Sequence, residues 1–362
     1  MHDNEQAIAL YKKLGFRRVP VYAIKRKNEI NEKLFVGANA NEKFNPYAQI
    51  IVNEARRRGI GVDVIDTNAG LFRLTYGGRS VRCRESLSEF TSAVALSICD
   101  DKSLTRNLVK EAGVAVPDQM IVKPGDDWRS FLDKHESVVV KPMRGEQGKG
   151  VAVGLTTCEE TEAAINHART ICDSIVLEQY VPGEDLRLVV IDYKVVAGAV
   201  RRPARIVGDG VSSVAELIKA QSRRRAAATG GESQIRIDAE TERCLERANL
   251  TLSDVLANGK EVAVRKTANL HTGGTIEDVT SQLHPDLIAA ATLAARAIDI
   301  PVTGIDFIVK SPHEPDYVFI EANERPGLAN HEPQPTAERF IDLLFPLSVA
   351  GGERESRRGL EK

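Results

Sequence analysis

Gly304-Ile-Asp-Phe-Ile-Val309 and, a little further on, Tyr317-Val-Phe-Ile-Glu-Ala-Asn323 are two apolar segments near the end of the sequence. Both are rich in β-branched and aromatic residues, which favours strands over helices. His313-Glu-Pro315 lies between them and is typical of a turn. The two segments therefore predict a β-hairpin.

Three polar residues interrupt this predicted hairpin: Asp306 in its first strand, and Glu321 and Asn323 in its second. Glu321 and Asn323 are two residues apart, so their side chains share one face of a strand. If the hairpin brings Asp306 beside them, two carboxylates and an amide oxygen form a ligand set that suits Mg²⁺ together with substrate phosphates. The alternative is a hairpin whose polar face is exposed to water, and the hairpin alone does not distinguish the two.

The composition is that of an ordinary globular protein, with 42% apolar and 28% charged residues among 362. This length is enough for two or three domains. The net charge of −2 argues against a protein that binds nucleic acid through a large overall positive charge. The five cysteines lack a Cys-x-x-Cys spacing, as is typical of reduced thiols. No apolar run is long enough to cross a membrane, so we expect a cytoplasmic protein without a membrane partner.

A strand–loop–strand pattern precedes the hairpin in the chain. Ser137 to Lys141 predicts a buried strand that ends in a lysine, and Val151 to Leu155 predicts another. The loop between them contains Gly145, Gly148 and Gly150, and its backbone N–H groups can surround phosphate oxygens. A lysine on an apolar strand also needs an anionic partner. The pattern indicates a phosphate site, and the alternative is a flexible hairpin turn without a ligand.

Two further predicted strands carry arginines. Glu184 to Ile191 contains Arg187, and Val195 to Arg202 ends in the pair Arg201 and Arg202. If the strands are neighbours, these arginines could point into one cleft, where a guanidinium suits bidentate binding of phosphate or carboxylate. The alternative is a charged strand face in solvent.

The N-terminal segment from Asn4 to Phe16 resembles the closing helix and strand of the GNAT acetyltransferases. Nothing upstream corresponds to the sheet or the pyrophosphate loop of that family, so we expect no acetyl transfer from this chain. We interpret residues 1–36 as a remnant of such a domain followed by a linker, and the chain as the back half of a longer fusion or a truncated form of one.

In chain order, the features from about residue 100 to residue 346 resemble the ATP-grasp ligases. Within that superfamily they are most similar to the ATP-grasp domains of cyanophycin synthetases and bifunctional glutathione synthetases. The residues that carry the resemblance are Lys141-Pro142, Arg144 to Gly150, Gly183-Glu184, Leu186 to Val190, Arg202 to Ala204, Gly208 to Gly210, Thr267 to Gly274, Gly304 to Asp306, Glu321 to Asn323 and Pro326 to Pro333. With the acetyltransferase-like segment, the chain is similar to the GNAT–ATP-grasp fusions that make the dipeptide N-acetylglutaminylglutamine.

The resemblance implies a fold of the α+β and α/β classes. Two α+β subdomains of an ATP-grasp domain, residues 101–346, would grip ATP. A small α/β domain, residues 37–100, would precede it, and a charged tail, residues 347–362, would follow.

The resemblance also implies which residues bind the nucleotide. Lys102 and Lys141 would bind the α- and β-phosphates, and the loop with Gly145, Gly148 and Gly150 would close over the β- and γ-phosphates. Glu178 and Val181 would contact adenine. Glu184, or Asp185 beside it, would bind the ribose.

The remaining implied roles concern the reaction. Asp306, Glu321 and Asn323 would hold two Mg²⁺ or Mn²⁺ ions. Arg187 and Arg202 would stabilise the transferred phosphoryl group and the acyl-phosphate. Pro326 to His331 would lie on the acceptor side of the site.

The implied activity is that of a carboxylate–amine ligase, which forms an amide through an acyl-phosphate and releases ADP and phosphate. Its substrates would be small amino acids or N-acetyl amino acids. One alternative keeps the fold and changes the amino-acid acceptor, as in the cyanophycin and glutathione synthetases. Another alternative is an inactive nucleotide-binding module. The oligomeric state stays open, and a homo-oligomer is compatible with the sequence.

Overall fold

The computed structural model describes residues 5–16, 44–123, 125–144, 149–228, 231, 233–268 and 270–348. Contacts divide the chain into two compact units, one from Met1–Phe90 with Gly327–Lys362 and the other from Thr91–Pro326. The predicted domains 1–36, 37–100, 101–346 and 347–362 stay a prediction.

The helices and strands of the described residues are numbered separately in chain order. The helices are α1 (Glu5–Lys13), α2 (Pro46–Arg57), α3 (Ala93–Asp100), α4 (Lys102–Glu111), α5 (Arg129–His135), α6 (Cys158–Arg169), α7 (Val214–Ala228), α8 (Ala239–Arg247), α9 (Pro285–Ile298) and α10 (Thr336–Leu344). The strands are β1 (Gly61–Asp66), β2 (Leu71–Tyr76), β3 (Arg79–Arg84), β4 (Leu87–Ser88), β5 (Gln119–Val122), β6 (Val138–Pro142), β7 (Ala152–Leu155), β8 (Ile175–Gln179), β9 (Glu184–Ile191), β10 (Lys194–Arg202), β11 (Arg205–Val207), β12 (Glu261–Ala263), β13 (Thr275–Asp278), β14 (Val302–Val309) and β15 (Tyr317–Asn323).

The first unit contains an antiparallel meander of β1 to β4 and the helices α2 and α10. Asn45 and Pro46 begin helix α2. The Asn45 side-chain oxygen accepts a hydrogen bond from the Ala48 N–H at 3.0 Å, and Pro46 suits the first position of the helix, where a backbone N–H would have no partner within the helix. Its apolar face is fully buried at Ile51 and Val52. Burial of this face stabilises the unit mainly through the hydrophobic effect.

The second unit contains two larger antiparallel sheets, one of four strands and one of five. The middle sheet has the order β5-β8-β6-β7, and helices α5 and α6 pack on one of its faces. Alternation along β6 and β8 places Val138, Val140, Ile175 and Leu177 in that core. Lys141 and Glu178 therefore belong to the opposite face.

The large sheet has the order β13-β10-β9-β14-β15. Its core face, with Leu186, Leu188 and Phe307, packs against the alanine-rich helix α9. Small side chains on α9 let the helix lie close to the sheet, and its buried positions recur with helical spacing. The opposite face of β9, β10, β14 and β15 carries charged and polar residues, among them Arg187, Arg201 and Asp306.

Residues 203–274, which we call the insert, lie between β10 and β13. The two-stranded ribbon of β11 and β12 and the helices α7 and α8 form it. The insert has a core of its own, centred on residues such as Ile206, Ile218 and Val264. It can therefore hold the loop that follows β12 in a defined conformation.

None of the helices in the described part of the chain combines the length and the apolarity that spanning a bilayer requires. The five cysteines are all free thiols.

Candidate functional site

The predicted hairpin is present as β14 and β15, and its register contains one irregularity. Asp306 lies opposite Glu321 and Phe307 lies opposite Phe319, so Ile320 is an extra residue, a β-bulge. In a regular strand, Phe319 and Glu321 would share a face. The bulge separates them, so that Phe319 is in the core while Glu321 lies on the face of Asp306.

Asn323 lies on the same face as Glu321. It is opposite Gly304, and its Nδ2 donates to Glu321 Oε1 at 3.3 Å. A Cβ at Gly304 would lie 2.9 Å from Arg187 Nη1, so the glycine provides the space that the Arg187 side chain occupies. The structure thus brings Asp306, Glu321 and Asn323 together as the sequence predicted, and adds Arg187 to them.

Asp306 is the centre of a buried network of charges. Arg187 lies directly opposite on β9, and it donates from Nε to Asp306 Oδ1 and from Nη2 to Oδ2, the latter at 2.8 Å. Arg201 donates from Nη2 to Asp306 Oδ2 at 2.8 Å, and from Nε to Asp185 Oδ1 at 2.8 Å. The Asp306 side chain is only 4% exposed. Charge-assisted hydrogen bonds on both oxygens compensate for the lost hydration of the carboxylate.

The pKa values of the two carboxyl groups in this network, Asp306 and Asp185, are shifted in opposite directions. Burial alone would raise the pKa of Asp306, but the charges and hydrogen bonds of Arg187 and Arg201 outweigh it and hold that pKa below its usual value. Burial raises the pKa of Asp185 to about 6, and the nearby charge of Asp306 adds to this effect against the opposing charge of Arg201. Near neutral pH the network therefore contains two guanidinium groups and a charged Asp306.

Arg202 faces away from this network. It donates to Glu184 Oε1 at 2.9 Å and to Glu277 Oε2 at 3.0 Å, and its side chain is 43% exposed. The structure therefore brings together Arg187, Arg201 and Asp185, whereas the predicted residues Arg202 and Glu184 pair with each other elsewhere on the sheet. Their predicted roles stay predictions.

The strand pattern offers both Arg201 and Arg202 for the cleft, and the resemblance implies Arg202. Asp185 enters only as an alternative to Glu184 for the ribose. The register contains the signal: Ala199 lies opposite Arg187 and Arg201 lies opposite Asp185, so alternation places all four on one face. That register cannot be read from either strand alone.

Lys141 and Glu178 form a buried ion pair on the middle sheet. Lys141 Nζ lies 2.8 Å from Glu178 Oε1 and 2.7 Å from Oε2, and both side chains are buried. Each ion offsets the desolvation of the other, which answers the sequence-based expectation that the lysine needs a partner. Val181 follows β8 in the short link to β9.

The structure describes some of the residues that were predicted to bind phosphate. Lys102 is the first residue of α4, and its backbone N–H lies 3.5 Å from the Met143 carbonyl oxygen, so the start of this helix is close to the end of β6. Gly150 has φ +71°, and a Cβ there would lie 3.0 Å from Pro142 Cγ. The other predicted loop residues, Gly145 and Gly148, lie outside the described residues.

The residues predicted for the metal form a donor set rather than a complete site. Within the described ranges, no group of three or more His, Cys, Asp or Glu side chains is arranged to hold an ion. Two carboxylates and one amide suit Mg²⁺ only when phosphate oxygens and water complete its coordination. In that sense the residues present fit a Mg²⁺ or Mn²⁺ ion that arrives with a nucleotide.

Pro326 and His331, predicted on the acceptor side, fall in different units of the chain. His331 is 5% exposed in a 3-10 turn at Leu328–His331, and His271 is in another at Leu270–Thr272 within the insert. The predicted acceptor role stays a prediction.

Known proteins resemble this chain in sequence and fold. Residues 99–212 match the model of the RimK-like ATP-grasp domain. The cyanophycin synthetase of Trichormus variabilis is 32% identical over 323 residues, which cover 85% of this chain and 36% of that protein. The glutathione biosynthesis bifunctional protein GshAB of Clostridium perfringens is 26% identical over 317 residues, which cover 82% of this chain and 40% of that protein.

Among solved structures, the bifunctional glutathione synthetase from Pasteurella multocida superimposes with a TM-score of 0.60 at 23% identity, covering 84% of this chain and 44% of that one. The chain thus spans less than half the length of each of these relatives. The predicted ATP-grasp fold is confirmed.

Proposed function

We propose that this chain is an ATP-dependent carboxylate–amine ligase that forms a peptide or amide bond through an acyl-phosphate. The observation that carries the proposal is the network of Arg187, Arg201 and Asp306 beside Glu321 on one face of the large sheet. Two guanidinium groups and two carboxylates in one place suit the transfer of a phosphoryl group from ATP to a carboxylate, in which anionic oxygens must be neutralised. The RimK-like ATP-grasp match over residues 99–212 supports the same reaction class.

In the first step, a carboxylate oxygen of the substrate attacks the γ-phosphorus of ATP, the bond from that phosphorus to the β-bridging oxygen breaks, and ADP leaves. In the second step, an amine attacks the acyl carbon and the bond from that carbon to the bridging oxygen breaks. Inorganic phosphate leaves with the oxygen that came from the carboxylate, and the amine nitrogen loses a proton. Arg187 and Arg201 would orient the carboxylate and neutralise charge on the transferred phosphoryl group. Lys102 and Lys141 would bind the α- and β-phosphates, Glu178 and Val181 would contact adenine, and Glu184 or Asp185 would bind the ribose.

Asp306, Glu321 and Asn323 would hold Mg²⁺ or Mn²⁺. Asp306 Oδ1 accepts from one arginine nitrogen, so it keeps lone-pair capacity for an ion. The bound ion would neutralise phosphate charge during transfer.

For the finer assignment, we propose synthesis of a dipeptide of the N-acetylglutaminylglutamine type, from an N-acetyl amino acid and an amino acid in the cytoplasm. The support is the acetyltransferase-like segment at Asn4 to Phe16. The relatives named above favour a second candidate, a ligase with another amino-acid acceptor. An osmoprotective role has no further support in the structure.

The test is a turnover assay with ATP, Mg²⁺ and a panel of amino acids and N-acetyl amino acids, with ADP, AMP and phosphate measured separately. A carboxylate labelled with ¹⁸O should pass one ¹⁸O atom to the released phosphate. Turnover with no pair of substrates would refute the ligase, and AMP in place of ADP would refute the acyl-phosphate route. The identity of the accepted pair distinguishes the N-acetylated dipeptide from the alternative acceptors.

Glu321→Ala should lower turnover by about a thousandfold or more, since it removes one of two carboxylates from the phosphate-transfer site. Glu277→Ala is the matched control, because Glu277 is an exposed carboxylate on β13 of the same sheet, away from Asp306. The control should stay within about threefold of the wild type, in the range expected for an exposed ion pair. Near-normal turnover of Glu321→Ala, with an unchanged circular dichroism spectrum, would rule out its proposed metal role.

A further inference from the structure

The outward face of helix α9 is apolar although it lies at the surface. Ile288 and Leu293 on this face are 38% and 40% exposed. The inward face, which contains Ala291, is buried against the large sheet. Between Asp286 and Arg296 the helix has no charged residue, whereas a surface helix normally has charged side chains on its outer face. A helix that is apolar all round is typical of one that is covered on both sides.

Helices α3 and α4 lie beside α9 on the same side of the large sheet, because all three contribute to one hydrophobic core. They expose three further large apolar side chains, those of Val94 at 69%, Leu96 at 40% and Leu104 at 43%. Isolated apolar residues at a surface need no explanation, but a group of them on neighbouring helices is typical of an interaction site. The charge network around Asp306 is on the other face of the sheet, so a partner on this layer of helices leaves the network open.

The charges at the two ends of the α9 face have opposite signs. Asp286 is in the first turn of the helix, and its side chain is 65% exposed. Arg296 is in the last turn and is exposed, with its guanidinium carbon 4.9 Å from the centroid of the Tyr193 ring. Ten positions separate the two residues, which is about 15 Å along the helix axis. A second α9 that lies antiparallel to the first therefore brings each acidic end to a basic end, whereas a parallel one would bring like charges together.

The same antiparallel register matches the apolar residues. When a two-fold axis passes between Ala289 and Thr292, Ile288 comes opposite Leu293 of the second copy. The acidic and basic ends then differ by about one residue, or 1.5 Å, in height along the axis, which the length of an arginine side chain covers. Because Ala289 and Thr292 are small, the two helices can approach closely at the centre, with about 8 Å between their axes.

We propose that α9 is the centre of an interface with a second copy of this chain, in which the two α9 helices pack antiparallel about a two-fold axis. The interface buries Ile288 and Leu293 of both copies. A strongly acidic or basic partner would call for a face with one sign of charge, whereas this face has one charge of each sign and none between them. A stable dimer buries about 800 Å² on each copy, more than one face of a 14-residue helix provides, so the exposed apolar residues of α3 and α4 contribute as well.

The first test is sedimentation equilibrium of the intact protein at concentrations up to about 100 μM, which gives the dissociation constant of the dimer. Leu293→Glu should raise that constant about a hundredfold or more, because the dimer would then bury two carboxylates in an apolar contact. Val211→Glu is the matched control, since Val211 is an exposed valine of the insert, away from α9. The control should change the constant less than about twofold.

A charge exchange tests the orientation of the two helices. Asp286→Arg and Arg296→Asp each bring like charges together, so each alone should raise the dissociation constant about tenfold or more. The double variant reverses both signs and should return to within about threefold of the wild type. Both substitutions also oppose the dipole of α9, so thermal melts and circular dichroism of each variant measure whether the helix stays folded.

Three results would overturn the inference. A wild type that stays monomeric over the whole concentration range would exclude a second copy on this face. A dimer with the same dissociation constant in the wild type and in Leu293→Glu would place the interface elsewhere on the molecule. A double charge variant that dimerises no better than the single variants would exclude the antiparallel pairing. None of these results bears on the ligase reaction, because the inference does not rest on the proposed function.

Discussion

Arg201 and Arg202 are neighbours in the chain, but their environments differ completely. Arg201 is buried between Asp306 and Asp185, whereas Arg202 is half exposed between Glu184 and Glu277. Strand alternation produces this difference, because successive side chains point to opposite faces. At the scale of single residues, the charge network therefore selects one arginine of a pair that looks equivalent in sequence.

Arg201→Met should lower turnover by about a hundredfold or more and lower the melting temperature, since it leaves Asp185 and Asp306 buried with less compensation. Arg202→Met should change turnover less than about tenfold, because its partners are exposed. Steady-state kinetics and thermal melts of both variants test this. A larger loss of turnover in Arg202→Met than in Arg201→Met would instead support the role in phosphoryl transfer that the resemblance implies for Arg202.

At the scale of elements, the close approach of β9 and β14 gives Asp306 its arginine. Gly304 on β14 leaves the space that Arg187 on β9 fills, since a Cβ would lie 2.9 Å from its Nη1 and 3.1 Å from its Cδ. The bulge at Ile320 on β15 then turns Glu321 towards the same face. With Arg201 on β10, four strands thus contribute one or two residues each, and no single strand contains the site.

Gly304→Ala should lower turnover by about tenfold or more, because the new methyl group displaces Arg187 from Asp306. If the effect passes through Arg187, the double variant Gly304→Ala with Arg187→Met should lose no more than Arg187→Met alone. A double-mutant cycle on turnover measures this coupling. Additive losses would show that the methyl group acts elsewhere, for example through Pro326 Cβ, which would lie 3.3 Å from it.

At the scale of the whole molecule, the first unit brings together α2 and α10, which lie far apart in the chain. Arg58, just after α2, donates to Glu54 Oε1 at 2.5 Å and to Asp342 Oδ1 on α10 at 2.6 Å. Both Arg58 and Glu54 are less than 10% exposed. Burial would raise the pKa of Glu54, but the hydrogen bonds and charges of Arg57 and Arg58 prevail and lower it. The stabilisation from Glu54 is therefore present above its unfolded pKa and is lost as the pH falls through its lower folded pKa.

Arg58→Met should lower the free energy of local unfolding of α2 and α10 by about 3–5 kcal/mol at neutral pH, because two carboxylates lose a buried partner. The difference from the wild type should narrow below about pH 4.5, where protonation of Glu54 removes the uncompensated charge. Hydrogen exchange of peptides that cover Pro46–Arg57 and Thr336–Leu344 measures both effects. Arg57→Met is the control, because Arg57 is 64% exposed and should cost less than about 1 kcal/mol. Equal losses in both variants, or a difference that grows in acid, would contradict this account.

Much of the fold could be predicted from the sequence, since its signals are local. The strands β6, β9, β14 and β15 follow from β-branched and aromatic runs, and the start of α2 follows from Asn45 and Pro46. The shared face of Glu321 and Asn323 also followed from their spacing on one strand, whereas the position of Asp306 beside them depended on the register of the hairpin.

The sequence by itself determined which elements form and which charged residues they carry, because backbone preference and alternation act over a few residues. Only the tertiary structure decided that Arg201 rather than Arg202 joins Asp306, that a bulge at Ile320 places Phe319 and Glu321 on opposite faces, and that Lys266 extends from the insert to the middle sheet. Each of these depends on the register or packing of segments far apart in the chain. A shift of one residue in that register would exchange the two faces of a strand, and no local pattern encodes it.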